Sequence, residues 1–334
     1  MRKFVIGLVI LFGFLDILAA VQVSGYANER FIAALRMHGA VRSVFDFYYD
    51  VLGPRTMVAS LEAAFPYCHG EAHDLGKVVL EREKDLNSAI EICRYGCTGG
   101  CFHGVLMEQF GAKDGDHTTL EEVRDKIRDA CDSQATVAYH KEGNCPHGVG
   151  HALASLAGYD LEKALSYCTL FPTRPLEYYC ATGVFMEYDI KHNERDSVTK
   201  ATLYPCDTFT EFPAGCFRYK MLHLKTSMSV EALQGICMEF QEYMRRGCFY
   251  GIGFAYTPDM YQRPESLATV CGAGELEDQK MCIEAISEEI TEYNKEASTK
   301  ACDSLSEGLR EFCREGLERK YYSVAKDFSL YFKE

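Results

Sequence analysis

Apolar residues recur at spacings of three and four along most of this chain, the period of an amphipathic helix. The pattern is clearest ahead of certain cysteines, in KDLNSAIEIC, TTLEEVRDKIRDAC, YDLEKALSYC and SVEALQGIC. A second set of periodic runs begins at cysteines: CFHGVLMEQF, CPHGVGHALASL, CATGVFMEYDI, CFYGIGFAY, CIEAISEEI and CREGLERKY. The short stretches between hold Gly or Pro, as at Gly99-Gly100, Phe171-Pro172 and Pro213-Ala214-Gly215. Each unit therefore reads as helix, cysteine, tight loop, cysteine, helix. Thr118 with Glu121 predicts a capping box on one first helix. Residues 24–66 lack cysteine but keep the helical period, which predicts an N-terminal helical cap or stalk.

The cysteines carry a repeat. Cys93, Cys131, Cys168, Cys206, Cys237, Cys271 and Cys302 are spaced by 31 to 38 residues. Cys101, Cys145, Cys180, Cys216, Cys248, Cys282 and Cys313 follow them by 8 to 14. A period near 35 with two helices per unit is the signature of an αα array. The expected fold is all-α, a disulfide-stapled αα-hairpin repeat array of solenoid type over residues 67–324, with a tail at 325–334. In period it resembles tetratricopeptide arrays, but it lacks their Trp-containing signature. The expected bridges are Cys93–Cys101, Cys131–Cys145, Cys168–Cys180, Cys206–Cys216, Cys237–Cys248, Cys271–Cys282 and Cys302–Cys313. Cys68 and Cys97 remain and are paired with each other. Three residues after the second cysteine stands Gly104, Gly148, Gly183, Gly251 or Gly316, which predicts close approach of a neighbouring helix backbone.

Sixteen cysteines in 334 residues are either a disulfide framework or a set of metal ligands, and the compartment decides. The chain opens with Arg2 and Lys3, then runs from Phe4 to Leu15 without a charge. That pattern fits a secretory signal over residues 1–23. Extended to Val21 it also fits a short single-pass anchor, with Asp16 counting against spanning. Either reading places the remainder in an oxidising, extracytoplasmic space, secreted, periplasmic or lumenal. The membrane is then met only through the N-terminal segment. A net charge of −14 argues against nucleic acid as a partner. The acidic C-terminal stretches GELEDQK and EAISEEITEY read as a solvated face.

The histidines break the repeat. His69 and His73, His103, and His147 and His151 stand at the starts of second-type helices. In later units the equivalent places hold Thr182 and Met186, then Tyr250 and Phe254, while the glycine persists. The fold alone does not demand imidazole here. His69/His73 and His147/His151 are each four apart, so both rings of a pair share one helix face. Such pairs suit a transition metal, since zinc, copper and iron accept neutral imidazole. Glu108 and Met107 are possible further donors, and a non-covalent haem stays open. The zincin motif needs Glu directly after the first His, where this chain has Gly70 and Gly148. If the centre is catalytic, redox chemistry therefore fits better than hydrolysis. His38, His117, His140, His192 and His223 look isolated. The rival readings are a metal-free scaffold binding a protein partner on the solenoid surface, and an enzyme using Glu108 and Glu187 for acid–base work.

Overall fold

The computed structural model describes residues 25–65, 67–94, 96–112, 119–193, 202–318 and 322–332. The expected signal or anchor at 1–23 lies outside them, as do Thr118 and His117. All regular structure among the described residues is helical, and none of these helices is long and apolar enough to cross a membrane. The chain divides into two compact units, Met1–Gln109 and Phe110–Glu334.

The first unit holds α1 (25–38), α2 (Arg42–Leu52), α3 (Pro54–Ala64), α4 (His69–Glu83), α5 (Leu86–Ile92) and the start of α6 (Gly100–Phe110). Proline at the first position of α3 suits a helix start, because its missing N–H has no partner there. Asp85 caps α5 by accepting from the Ser88 N–H at 2.8 Å. The core is formed by Phe31, Leu35, Phe45, Met57, Leu61, Leu75 and Val79, all essentially inaccessible to water. α4 and α6 touch backbone to backbone. A Cβ on Gly104 would stand 2.0 Å from the His73 carbonyl oxygen, so only glycine fits there.

The second unit runs through α7 (Leu120–Cys131), α8 (Gln134–Tyr139), α9 (Asn144–Leu156), α10 (Leu161–Tyr167), α11 (Arg174–Asn193) and α12 (Pro213–Leu224). It continues through α13 (Val230–Met238), α14 (Glu242–Met260), α15 (Leu267–Val270), α16 (Leu276–Tyr293), α17 (Lys295–Asp303) and α18 (Glu307–Gly316). The longer helices stack in chain order: α9 on α11, α11 on α12, α12 on α14, α14 on α16 and α16 on α18. The shorter α10, α13 and α17 pack against them. The capping box of α7 runs from Thr119 to Glu122, one residue later than the Thr118–Glu121 spacing predicts. Both registers have the right residue types; Val123, Ile127 and Ala130 are the buried face, and they set the one used.

Eight disulfides form, all within one unit or the other. Cys68–Cys97 and Cys93–Cys101 staple the first unit. Cys131–Cys145, Cys168–Cys180, Cys206–Cys216, Cys237–Cys248, Cys271–Cys282 and Cys302–Cys313 staple the second. No cysteine is free. Each short loop so closed is worth roughly 2–4 kcal/mol in the chain-entropy picture.

The acidic C-terminal stretch is not wholly a solvated face. Glu284, Glu288 and Asp278 are buried. Glu288 pairs with the buried Lys326 and accepts from the Tyr250 hydroxyl at 2.8 Å. Burial lifts the Glu289 carboxyl to about 7, despite the Arg218 cation that opposes the shift. The period places these carboxylates on the core side of α16, and cations from α12 and the C-terminal segment meet them. That segment, residues 322–332, has no helix. Its Phe328, Tyr331 and Phe332 pack on Tyr178 of α11, with ring centroids 5.3–6.3 Å apart.

Candidate metal centre

Each unit carries a pair of facing imidazoles, held by its own disulfides. In the first unit His69 opens α4, directly after Cys68. The Cys68–Cys97 bridge ties that helix start to a tight turn at Cys97 and Thr98, both in the left-handed region with φ of 50°. The turn sets Thr98 Oγ1 3.0 Å from His69 Nδ1. The Thr98 hydroxyl donates to the Cys97 carbonyl at 2.7 Å, so toward His69 it accepts. His69 thus carries its proton on Nδ1 and turns Nε2 to His103 Nδ1 at 3.3 Å. His103 is fixed by α6, whose start is stapled through Cys93–Cys101.

The second unit repeats the arrangement. His147 and His151 lie one turn apart on α9, fully buried. Thr182 Oγ1 of α11 is 2.7 Å from His147 Nδ1, and the same hydroxyl donates to the Tyr179 carbonyl at 2.6 Å. Glu187, further along α11, places Oε2 3.2 Å from His151 Nδ1. α11 reaches this close because Gly183 has no Cβ, which would stand 2.0 Å from the His147 carbonyl oxygen. Both Nδ1 atoms face acceptors, so both protons sit there, and the two Nε2 atoms oppose each other at 3.2 Å.

Two neutral imidazoles cannot bond through two lone pairs. A cation between them resolves the repulsion. Two nitrogens at 2.0–2.1 Å from a tetrahedral ion stand about 3.3–3.4 Å apart, close to the 3.2 Å between His147 Nε2 and His151 Nε2; in the first unit a proton on His103 Nδ1 would make the contact to His69 Nε2 an ordinary hydrogen bond. The outer contacts are the kind that orient ligating histidines: a carboxylate on one Nδ1 and a hydroxyl on the other. His69 with His103 in the first unit, and His147 with His151 in the second, each form a pair that could contribute to holding a metal ion.

The remaining expected donors fall outside these pairs. His73 is buried, with its ring 5.0 Å from His69 and 5.9 Å from His103. Glu108 is half-buried on α6 and faces Arg42 at 3.9 Å, and Met107 is half-buried beside it. Glu187 holds His151, so its nearest chemistry is to orient a ligand. The isolated histidines have local partners: His223 meets Asp189 at 2.5 Å and His192 stacks on Tyr188. His140 lines a cavity of about 490 Å³ beside α9, with Arg128, Lys141, Pro146 and Phe171, and burial lowers its pKa to about 3.

Sequence reasoning named the rings but missed Thr98 and Thr182 as their partners. A signal for Thr182 was present: it occupies the place of His103 and His147 in its own hairpin. Residues in equivalent places of successive hairpins touch.

Among the described residues this is an all-helical, disulfide-rich protein suited to an oxidising, extracytoplasmic environment, with facing histidine pairs able to hold a metal ion. No family model matches the chain, and neither curated proteins nor solved structures give a match.

Proposed function

We propose that this chain is an extracytoplasmic αα-hairpin repeat protein that holds a transition metal through histidine pairs, His69 with His103 in the first unit and His147 with His151 in the second. The observation carrying the reading is the opposition of His147 Nε2 and His151 Nε2 at 3.2 Å, with each Nδ1 engaged by an acceptor. Imidazoles held in such pairs suit zinc or copper.

The repeat is supported by polar pairs at one recurring separation. His69–His103, Asp189–His223 and Lys225–Asp259 are 34 apart, His147–Thr182 is 35, His151–Glu187 is 36 and Tyr250–Glu288 is 38. The apolar stretch at residues 4–21 serves as an export signal or anchor for the folded part.

The test is elemental analysis of the protein made in an oxidising host. Stoichiometric metal that is lost on His147→Ala or His151→Ala supports the proposal. Folded, fully bridged protein with no metal at any pH from 6 to 8 refutes it. That outcome would favour the second reading, a protein-interaction scaffold, whose support is the exposure of Met37, Phe47 and Val51 on α1 and α2.

A further inference from the structure

We infer that Tyr322, at the head of the C-terminal segment, is a positioning residue for the His147–His151 half of the metal centre; the inference rests on the reading above. Two contacts carry it. The Tyr322 ring packs on the His147 imidazole with centroids 5.1 Å apart, and both side chains are buried. The Tyr322 carbonyl accepts from the Gly143 N–H at 2.8 Å, at the residue that caps α9. That helix bears both ligands and has no side-chain cap of its own. One residue of the tail thus fixes both the start of the ligand helix and the face of its first ligand.

Tyr322 is held in turn by α11. The Tyr179 ring lies 5.6 Å from it, and the Tyr179 hydroxyl donates to the Ser323 carbonyl at 3.0 Å. The Tyr179 carbonyl accepts from Thr182, the hydroxyl that sets the His147 tautomer. Tyr322 sits at φ 61°, a conformation unusual for a tyrosine and kept only where surrounding contacts demand it. Further along, Lys326 is buried against Glu288, beneath the rings of Tyr331 and Phe328 at 4.5 and 5.1 Å. The segment is therefore a strap anchored at Lys326 that presses Tyr322 against the His147 ring. A plain core segment would need no contact with the ligand helix start, whereas this one satisfies a backbone donor there.

The experiment compares full-length protein with Tyr322→Phe, Tyr322→Ala and Lys326→Met, each loaded with cobalt(II) as a spectroscopic probe. The readouts are the visible spectrum of bound cobalt and the rate of its loss to excess chelator. Tyr322→Phe keeps ring and carbonyl and is expected to match the parent. Tyr322→Ala is expected to lose cobalt at least tenfold faster, with an altered spectrum and unchanged helix content. Lys326→Met is expected to fall between them. Equal loss rates and spectra for Tyr322→Ala and the parent would overturn the positioning role. If the parent takes no cobalt, the metal reading fails by itself. The positioning role is then read in metal-free protein from the His147 ring-proton shifts. Tyr322→Ala must move them, and unchanged shifts overturn it.

Discussion

Thr182 Oγ1 stands 2.7 Å from His147 Nδ1 and gives its own proton to the Tyr179 carbonyl. A hydroxyl has one proton to donate, so toward His147 it can only accept. This single contact decides which nitrogen of a buried ligand is available to a metal. Thr182→Val keeps the shape and removes the acceptor. The expected result is a 10- to 100-fold loss of metal affinity with little change in fold, measured by competition titration. Thr182→Ser should retain the affinity.

Glu187 performs the same service for His151 and adds a negative charge beside the candidate site. Glu187→Gln preserves an acceptor oxygen but removes the charge. Metal affinity should fall by about tenfold, and Glu187→Ala should fall further. If instead Glu187→Gln abolished an activity while metal content stayed whole, the carboxylate would be acting on substrate.

Gly183→Ala places a methyl group 2.0 Å from the His147 carbonyl, a distance no packed structure tolerates. α11 must move away from α9, and it carries Thr182 and Glu187 with it. The expected cost is about 1–3 kcal/mol or more of stability, seen in denaturant unfolding, together with loss of metal.

The Cys68–Cys97 bridge closes a separation of 29 residues and ties the Thr98 turn to the first turn of α4. The double substitution Cys68→Ser, Cys97→Ser should cost about 3–4 kcal/mol by the loop-entropy relation. It should also weaken metal binding through His69, because that bridge ties the Thr98 turn beneath the ring. Serine pairs at Cys302 and Cys313 should lower stability alike and leave the metal in place.

His140 supplies a pH dependence. Its pKa falls from 6.5 to about 3 through burial, so the folded chain resists a proton that the unfolded chain accepts. Stability contributed by the neutral ring is complete above pH 6.5 and drains as pH falls toward 3, by up to about 4 kcal/mol. Glu289 acts oppositely: its raised pKa makes stability fall as pH rises from 4.5 through 7. His140→Leu should flatten the acid limb of a stability-against-pH curve, and Glu289→Gln should flatten the neutral one.

The helices and the candidate rings were legible because both write themselves in local spacing. Apolar periodicity marked α7, α9 and α13, and the loss of imidazole at Thr182 and Tyr250 marked the histidines as additions to the repeat. The turn at Cys97 and Thr98 was not legible, since its left-handed backbone follows from a bridge to a distant cysteine. The exclusion of His73 from the first unit's pair was hidden too. His69 and His73 share a helix face, yet His69 is the ring that meets His103, and helical spacing cannot choose between neighbours on one face. The burial of Glu284 and Glu288 depends on Lys326, some 40 positions later, whose pairing leaves no trace in composition.

The partner that sets each imidazole of α9 belongs to the following hairpin, which orders events during biosynthesis. A nascent chain that has emerged only as far as residue 160 owns both rings but neither tautomer. Under the proposed reading its nitrogens become competent for an ion only once α11, bearing Thr182 and Glu187, has packed against α9.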